Sequence, residues 1–296
     1  MILYPHAKIN LSLFITGRIG GGYHGIDTIF WPLPLFDTLH VKKAEAFSFS
    51  CSDKSLEQEN NLICRAYTLM KEKYQLPALE IHLEKSIPYQ AGLGGGSADG
   101  AAMILACEEL FSLNMSRKEK EALGESLGAD VPAGLSFLPQ RGLETGAKLT
   151  TIGDYWPLPL LILKPQEGFS TAAMYRRWDE KTGTNPRDSR EIRLHQEKLE
   201  RAVITQDIKA ICRLLENDFE KLLLPREEAI LRKAKNLFGE SGAAGSLLCG
   251  SGSGVFGVYE SFELRDKAAG QLKTELPEGW RLLLPREREE DEKTDH

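Results

Sequence analysis

A run of glycines in the first third of the chain constrains its fold more than any other sequence feature. In the segment PYQAGLGGGSADGAAMILACEELF, residues 88–111, four of the five residues from Gly92 to Gly96 are glycine. Glycine loses more conformational entropy on folding than any other residue, so the run indicates a place where the backbone must approach another group closely. An alternating strand pattern, LEIHLE, precedes the run, and a helical pattern follows it directly.

A strand, a glycine loop and a helix in this order are a common arrangement for binding phosphate. The N–H groups of the loop converge, and the helix N-terminus adds a partial positive charge. We expect the helix to begin near Ser97 and to present a small-residue face, starting at Ala98, against which another segment can pack closely. The alternative is a tight turn without a ligand. The chain has no G-x-x-x-x-G-K-[ST] motif, and the loop lacks the Rossmann context, so a phosphate site here requires another family.

The overall composition restricts the partners of the chain. Its 296 residues, 42% hydrophobic and 27% charged, are ordinary for a globular protein and suffice for about two domains. The formal net charge of −6 argues against a nucleic-acid partner, because proteins that bind nucleic acid usually carry a basic excess or patch. It does not exclude a small anionic ligand, since converging backbone N–H groups can bind phosphate within an acidic protein.

The cysteines and the apolar segments favour a cytoplasmic location. The five cysteines are widely scattered, and none forms a C-x-x-C pair or a zinc spacing. We expect free thiols in a reducing compartment. The N-terminus lacks a basic region and a small-residue cleavage site, so it is not expected to be a signal peptide. No run reaches the roughly 20 apolar residues that a membrane helix needs.

Changes of pattern along the chain predict two domains and a tail. Alternating apolar residues in KINLSLFITG predict a strand near the start, and Ser116 is a predicted helix N-cap. The segment PLLILKP, which predicts a buried strand, follows a change of character after residue 153. We therefore expect an N-terminal domain over residues 1–153 and a C-terminal domain over residues 154–285. The charged end, residues 286–296, has no apolar anchor and is predicted to be disordered.

Three segments, taken together and in order, resemble the GHMP kinase superfamily, whose members are small-molecule kinases that bind ATP without a Walker loop. They are PHAKINLSLFITGRIGGGYHGIDT, PYQAGLGGGSADGAA and LCGSGSGVFGVYES. The motifs AKINLSL, GYH, LGGGSADGAA, LGADVPAGL, FSTAAMY and NDFE are similar to one branch of it. Members of that branch phosphorylate the 2-hydroxyl of a cytidine diphosphate-linked methylerythritol in the non-mevalonate isoprenoid pathway. The resemblance covers residues 5–260 and implies a two-domain α+β GHMP kinase fold, with the active site in the interdomain cleft and ATP with Mg2+ as cofactor.

The resemblance implies that Lys8 and Asp130 are the catalytic residues. Lys8 lies at the centre of an apolar strand, where the alternative is an edge-strand lysine that reaches solvent. Asp130 lies just before a proline, where the alternative is a turn residue. An alcohol is about as weak an acid as water, whose pKa is roughly 15.7, so a carboxylate cannot deprotonate it fully before attack. Because the phosphoryl transition state is loose, we expect Asp130 to orient the hydroxyl and take its proton late, while Lys8 offsets charge.

Five further residues are assigned to the substrate by the resemblance. Tyr23 would stack on the cytosine, and His24 would hydrogen-bond to it through ring and backbone; a surface aromatic and a loop histidine are the alternatives. Tyr175 would form a second aromatic wall, unless STAAMY belongs to a core helix. Asn10 would bind the substrate near its reacting end, and Thr171 would lie beside the substrate.

The resemblance assigns ATP to the glycine run and to two residues outside it. The run contributes seven candidate residues: Gly92, Leu93, Gly94, Gly95, Gly96, Ser97 and Ala98. Asn61 and Lys85 would lie by the adenosine, although a solvated charge is the alternative for Lys85. Ser97 would touch Mg2+, but the sequence offers no strong carboxylate ligand and no metal-ligating histidine pair. The GSGSG turn, residues 250–254, would form a backbone wall near the substrate phosphates, or else a tight hairpin.

Some residues depart from the pattern of the family. Gly100 stands where the family has alanine after the loop, and Ala133 and Gly134 replace bulkier residues after GADVP. A glycine in the first turn of a helix costs about 1 kcal/mol. These departures concern the packing of the loop more than its chemistry.

Two other functions stay open from the sequence. Another GHMP kinase, for mevalonate or homoserine, is one alternative, and GYH argues against it because those substrates carry no base to stack. A catalytically silent ligand-binding relative is the other, and the presence of both Lys8 and Asp130 argues against that. The sequence leaves the oligomeric state open.

Overall fold

Thirteen β-strands form three sheets in the residues that the computed structural model describes, 1–182 and 188–286. The strands are β1 (Ile2–Leu3), β2 (His6–Arg18), β3 (His24–Phe36), β4 (Thr38–Lys43), β5 (Ser48–Cys51), β6 (Leu79–Glu84), β7 (Gln140–Leu143), β8 (Lys148–Thr151), β9 (Leu160–Lys164), β10 (Glu216–Asn217), β11 (Gly245–Leu248), β12 (Val255–Val258) and β13 (Arg281–Leu283).

The same described residues contain eight α-helices. They are α1 (Leu62–Tyr74), α2 (Gly95–Phe111), α3 (Arg117–Leu127), α4 (Thr171–Thr182), α5 (Ser189–Ile204), α6 (Ile208–Leu214), α7 (Pro225–Glu240) and α8 (Phe262–Glu275). Ser116 caps α3 as predicted, since its hydroxyl accepts from the backbone N–H of Glu119 at 3.2 Å. Helix α2 begins at Gly95, within the glycine run and two residues before the predicted start near Ser97.

The central sheet has the strand order β10-β2-β3-β7-β8. Strand β2, which contains KINLSLFITG, is confirmed as a strand and pairs antiparallel with β3 along its length. The pairing shifts register between Asn10 and Ser12, which is the signature of a β-bulge. Strand β10 pairs parallel to β2 and thereby brings a short segment from the second half of the chain against the first strand of the sheet.

The other two sheets are formed by different parts of the chain. The first has the order β1-β4-β6-β5, and α1, α2 and α3 pack with it around one hydrophobic core. The last has the order β11-β12-β9-β13, and β9, predicted as a buried strand, is buried at all five positions. A second hydrophobic core joins Ile9 and Trp31 of the central sheet to Leu160 and Phe256 of the last sheet. Because this core draws on both halves of the chain, the boundary after residue 153 stays a prediction.

Glycines at the departures from the family pattern permit close packing. A Cβ on Gly100 would lie 3.2 Å from the Cβ of Leu62, so Gly100 allows α1 to approach α2. A Cβ on Gly134 would lie 3.0 Å from Ala101, on the small-residue face of α2. The expected close packing against this face is therefore made by α1 and by the 3-10 helix Pro132–Leu135.

The remaining predictions concern the cysteines, the membrane and the tail. All five cysteines are free thiols, as expected. Over the described ranges, no helix combines the length and the apolar character that spanning a membrane requires. Apart from Arg286, the predicted tail lies outside the described residues.

Candidate active site

Lys8 lies against the glycine loop because the backbone holds strand β2 and the loop together. The N–H of Lys8 donates to the carbonyl of Leu93 at 2.9 Å. Gly94 has a φ of +71°, and a Cβ at this position would come within 2.9 Å of the Lys8 side chain. Glycine at position 94 is thus required both by the left-handed backbone and by the passage of the lysine. Lys8 is 9% exposed, so its ammonium is largely withdrawn from solvent.

Two polar groups contact the ammonium of Lys8. A carboxylate oxygen of Asp130 lies 3.3 Å from Lys8 Nζ, and the amide oxygen of Asn10 accepts from Nζ at 2.9 Å. Asp130 stands in the turn between α3 and the following 3-10 helix, and its side chain is 39% exposed. The structure therefore brings the two predicted catalytic residues together, with the carboxylate open to an incoming group.

The N-terminus of α2 presents backbone donors beside this pair. Gly94 is the N-cap and provides no side-chain cap, and the first N–H groups of an α-helix have no intrahelical acceptor. A Cβ on Gly96 would meet nothing within 4 Å, so one side of the loop is open. Ser97 and Ala98 follow in the first turn of the helix. Unpaired N–H groups at a helix start form a site for an anion.

The GSGSG turn packs directly on the glycine loop. The N–H of Gly254 donates to the carbonyl of Ala91 at 3.1 Å, and the N–H of Ser253 donates to that of Gln90 at 3.3 Å. A Cβ on Gly92, whose φ is +73°, would overlap the carbonyl of Cys249. The turn does connect two strands, β11 and β12, but it also forms one wall of the glycine loop.

Side chains from two other segments hold the GSGSG turn. Asn217 Nδ2 donates to the carbonyls of Leu248 at 3.0 Å and Gly250 at 2.7 Å. Thr171, at the start of α4, shares a hydrogen bond of 2.6 Å with the hydroxyl of Ser251. Asn217 belongs to NDFE, one of the family-like motifs, but the motif alone indicates no role for it. Only the parallel pairing of β10 with β2 brings it to the turn.

His24 is fixed by a carboxylate and by an aromatic ring. Its Nε2 bonds to Asp179 Oδ1 at 2.7 Å, and its ring stacks on Tyr175 with centroids 4.5 Å apart. Arg18 also pairs with Asp179, at 2.6 Å, and its guanidinium, followed by His24, holds the pKa of that carboxyl well below its usual range. A carboxylate can only accept, so Nε2 of His24 carries the proton. Sequence reasoning missed Asp179, although it lies four residues after Tyr175 and thus on the same face of α4.

The two aromatic residues assigned to the cytosine differ in exposure. Tyr23 is 59% exposed and directly precedes β3. Tyr175 instead stacks on His24, and burial, followed by the charge of Asp130, raises its pKa. Tyr175 also packs edge-on against the buried ring of Phe219, with centroids 5.1 Å apart, so it lies at the edge of a hydrophobic core.

Lys85 lies beside the glycine loop, where a Cβ on Gly95 would come within 3.3 Å of its Nζ. Lys85 Nζ donates to Asp37 at 2.5 Å and to Asp99 at 2.8 Å. A solvated Lys85 is excluded, since its side chain is one tenth exposed. Burial would lower the pKa of Lys85, but the two carboxylates outweigh it and raise the pKa, and burial raises the pKa of Asp99 to about 7. Asn61 is the N-cap of α1 and accepts from the N–H of Ile63 at 2.9 Å.

Comparison with known proteins agrees with this geometry. The model of the GHMP kinases N terminal domain matches residues 61–136, and that of the GHMP kinases C terminal domain matches residues 198–278. A 4-diphosphocytidyl-2-C-methyl-D-erythritol kinase of Parabacteroides distasonis is 35% identical over 266 residues, which are 88% of this chain and 92% of the relative.

Solved structures extend the comparison to the fold. The crystal structure of a 4-(cytidine 5'-diphospho)-2C-methyl-D-erythritol kinase superposes with a TM-score of 0.74 at 28% identity, covering 96% of this chain and 97% of the other. A homoserine kinase from Cytophaga hutchinsonii gives a TM-score of 0.70 at 18% identity, covering 96% and 93%. The latter likeness concerns the fold alone. The expected two-domain α+β GHMP kinase fold is confirmed, and the chain belongs to the 4-diphosphocytidyl-2-C-methyl-D-erythritol kinase family.

Proposed function

We propose that this chain transfers the γ-phosphoryl group of ATP to the 2-hydroxyl of 4-diphosphocytidyl-2-C-methyl-D-erythritol. The observation that carries the proposal is the contact of Lys8 with Asp130 at 3.3 Å, beside the open N-terminus of α2. A cation, a carboxylate and a helix start can together serve phosphoryl transfer to an alcohol. They position the acceptor, receive its proton and neutralise the phosphoryl oxygens.

Asp130 acts on the acceptor hydroxyl, and Lys8 acts on the charge of the transferred phosphoryl group. The exposed carboxylate of Asp130 accepts a hydrogen bond from the 2-hydroxyl and takes its proton as the bond to phosphorus forms. The ammonium of Lys8 lies between this hydroxyl and the γ-phosphate and offsets the developing charge. Since the transition state is loose, placement and charge supply most of the rate.

ATP occupies the glycine run in this proposal. The N–H groups of residues 95–97 would hold the phosphates, beside the backbone of Gly92, Leu93 and Gly94. A groove of about 380 Å³ is lined by Leu56, by Lys85 and by Pro88 and Tyr89, which shortly precede the glycine run. It lies near Asn61, whose Nδ2 donates to the carbonyl of Leu56 at 3.0 Å. We place the adenosine here.

Mg2+ enters with ATP in this proposal. Within residues 1–182 and 188–286, no group of three or more His, Cys, Asp or Glu side chains could hold a metal ion. Mg2+ is commonly bound through substrate phosphates and few protein ligands, and this donor set fits that mode. Ser97, half-buried in the first turn of α2, would supply a hydroxyl oxygen. The ion neutralises phosphate charge when bound.

The proposal also includes a cytoplasmic location and a division into two domains. The free thiols support a cytoplasmic location. The division into domains over residues 1–153 and 154–285 is supported by the separate sheet that β9, β11, β12 and β13 form.

The proposed reaction predicts a selective kinase. The purified protein should consume ATP in the presence of the cytidyl substrate and not with mevalonate, homoserine or galactose, because only the first carries a base for Tyr23 and His24. A coupled assay of ADP release, with 31P NMR of the product, measures this. Equal turnover of mevalonate or homoserine would overturn the substrate assignment, and absence of turnover with all four would favour a silent relative.

Replacing Tyr23 tests the site of the cytosine. Stacking of a base on one aromatic ring is worth about 1–3 kcal/mol, so Tyr23→Ala should weaken binding of the cytidyl substrate by roughly 5- to 150-fold. ATP affinity should be unchanged, and Tyr23→Phe should bind nearly as wild type because the ring face carries the effect. Isothermal titration calorimetry with each ligand decides this. Wild-type affinity in Tyr23→Ala would place the base elsewhere, with Tyr175 as the next candidate.

A further inference from the structure

We propose that Thr28 is a positioning residue for the catalytic lysine, acting through Asn10. Thr28 lies on β3, where it pairs with Leu13 of β2, three residues after Asn10. Its hydroxyl donates to the carbonyl of Ser12 at 2.5 Å and accepts from Asn10 Nδ2 at 2.8 Å. Asn10 Oδ1 in turn accepts from Lys8 Nζ at 2.9 Å. The inference rests on the proposed kinase function and deepens it.

The directions of the hydrogen bonds that join Thr28, Asn10 and Lys8 follow from one backbone carbonyl. The carbonyl of Ser12 can only accept, so the proton of the Thr28 hydroxyl points to it. The lone pairs of Thr28 then face the amide of Asn10, and Nδ2 must be the atom turned toward them. The oxygen of Asn10 is thereby turned to Lys8. The bulge between Asn10 and Ser12 lies in the middle of this arrangement, and bulges commonly redirect side chains beside active sites.

Without the hydroxyl of Thr28, only the hydrogen bond from Lys8 orients the amide of Asn10. The flipped amide would present N–H groups to the ammonium of Lys8, donor against donor. A lysine ammonium has three N–H groups. In the structure one is used by Asn10, and one faces Asp130 at 3.3 Å. This leaves the third for a phosphoryl oxygen. Loss of the Asn10 bond would free Lys8 to turn away from that oxygen.

Thr28 acts only through its neighbours. It is 0% exposed and Asn10 is 1% exposed, so substrate cannot reach the hydroxyl of Thr28. An effect of Thr28 on turnover must therefore pass through its hydrogen-bond partners, the amide of Asn10 and the carbonyl of Ser12. A residue that merely fills the core would change the stability of the fold but would not change kcat selectively.

The test compares two replacements of nearly the same size. Thr28→Val removes the hydroxyl and keeps the shape, and it should lower kcat by roughly 10- to 100-fold, since a buried amide loses its partner. The KM values for ATP and for the cytidyl substrate should stay within about threefold of wild type. Thr28→Ser restores the hydroxyl and should restore kcat to within about threefold. Should Thr28→Val not fold, Thr28→Ala is measured with the same expectation.

Tyr259→Phe supplies a matched control for stability. Tyr259 is fully buried, and its hydroxyl shares a hydrogen bond of 2.9 Å with that of Ser241, outside the hydrogen bonds that lead to Lys8. This variant should lower the melting temperature about as much as Thr28→Val and leave kcat unchanged. An equal loss of kcat in both variants would mean that Thr28 has only a structural role.

A double variant of Asn10 and Thr28 shows whether Thr28 acts through Asn10. In an Asn10→Ala background, Thr28→Val should cause no further loss of kcat, because the group it positions is gone. Additive losses would overturn the inference. The two proposals fail separately: a wild-type protein without turnover of the cytidyl substrate rejects the kinase function, whereas an active wild type with wild-type kcat in Thr28→Val rejects only the role of Thr28.

Discussion

Replacing Asp130 by asparagine is expected to lower kcat by roughly 10³-fold or more while the protein stays folded. The amide keeps the shape of the side chain but can no longer take the proton of the 2-hydroxyl. Lys8→Met should have a loss of similar size, because it removes the charge that faces the transferred phosphoryl group. Asp130 lies at a 39% exposed position in a turn, so its replacement leaves the core intact.

The double variant distinguishes a catalytic unit from two independent residues. If the pair acts as a unit, Asp130→Asn combined with Lys8→Met should lose little more than either alone. ATP binding, measured by calorimetry, should survive in all three. Glu80→Gln breaks a surface ion pair with Lys42, 2.8 Å long, and should leave kcat unchanged. Fully additive losses, or a kcat near wild type in Asp130→Asn, would reject the proposed roles.

Gly92→Ala is expected to destabilise the protein by more than about 4 kcal/mol. Two effects add at this position. The φ of +73° costs a residue with a Cβ about 1–2 kcal/mol. The new Cβ would also overlap the carbonyl of Cys249, in a contact between two backbones that no rotamer change can relieve. Urea denaturation followed by circular dichroism measures the loss, and a variant as stable as wild type would contradict the contact.

Gly96→Val provides the contrast within the same loop. A Cβ at position 96 meets nothing within 4 Å, so the fold should tolerate the change. If ATP phosphates lie on this part of the loop, the KM for ATP should rise roughly tenfold or more. A folded Gly96→Val enzyme with an unchanged KM for ATP would mean that the glycines form only a turn. A loss of stability in Gly92→Ala and a loss of ATP affinity in Gly96→Val would show that one glycine serves packing and the other serves binding.

Sequence reasoning predicted the elements whose pattern is local. The alternation in KINLSLFITG and LEIHLE placed two strands, Ser116 placed the start of α3, and the glycine run placed the start of α2. The order of the glycine motifs indicated the family. These features depend on residues within a few positions of one another, where backbone geometry and side-chain periodicity act directly.

The groups that hold the site in place could not be predicted in this way. Asp179 holds His24, Asn217 holds the GSGSG turn, and Thr28 contacts Asn10, each from a distant part of the sequence. Lys85 illustrates the same limit, since a lysine in a polar segment is usually solvated. Its burial follows from Asp37 and Asp99, which the fold brings to the same point.

By itself, the sequence determined where the backbone can bend and where a helix can start, and through its motifs it identified the kind of kinase. Only the tertiary structure decided which glycines serve packing and which leave space for a ligand. Gly92 and Gly96 are the same residue type and stand four positions apart. A Cβ on Gly92 would overlap the carbonyl of Cys249, whereas a Cβ on Gly96 would meet nothing within 4 Å. The reason is physical: close contact depends on atoms that distant strands bring within a few ångströms, and a local pattern contains no information about their positions.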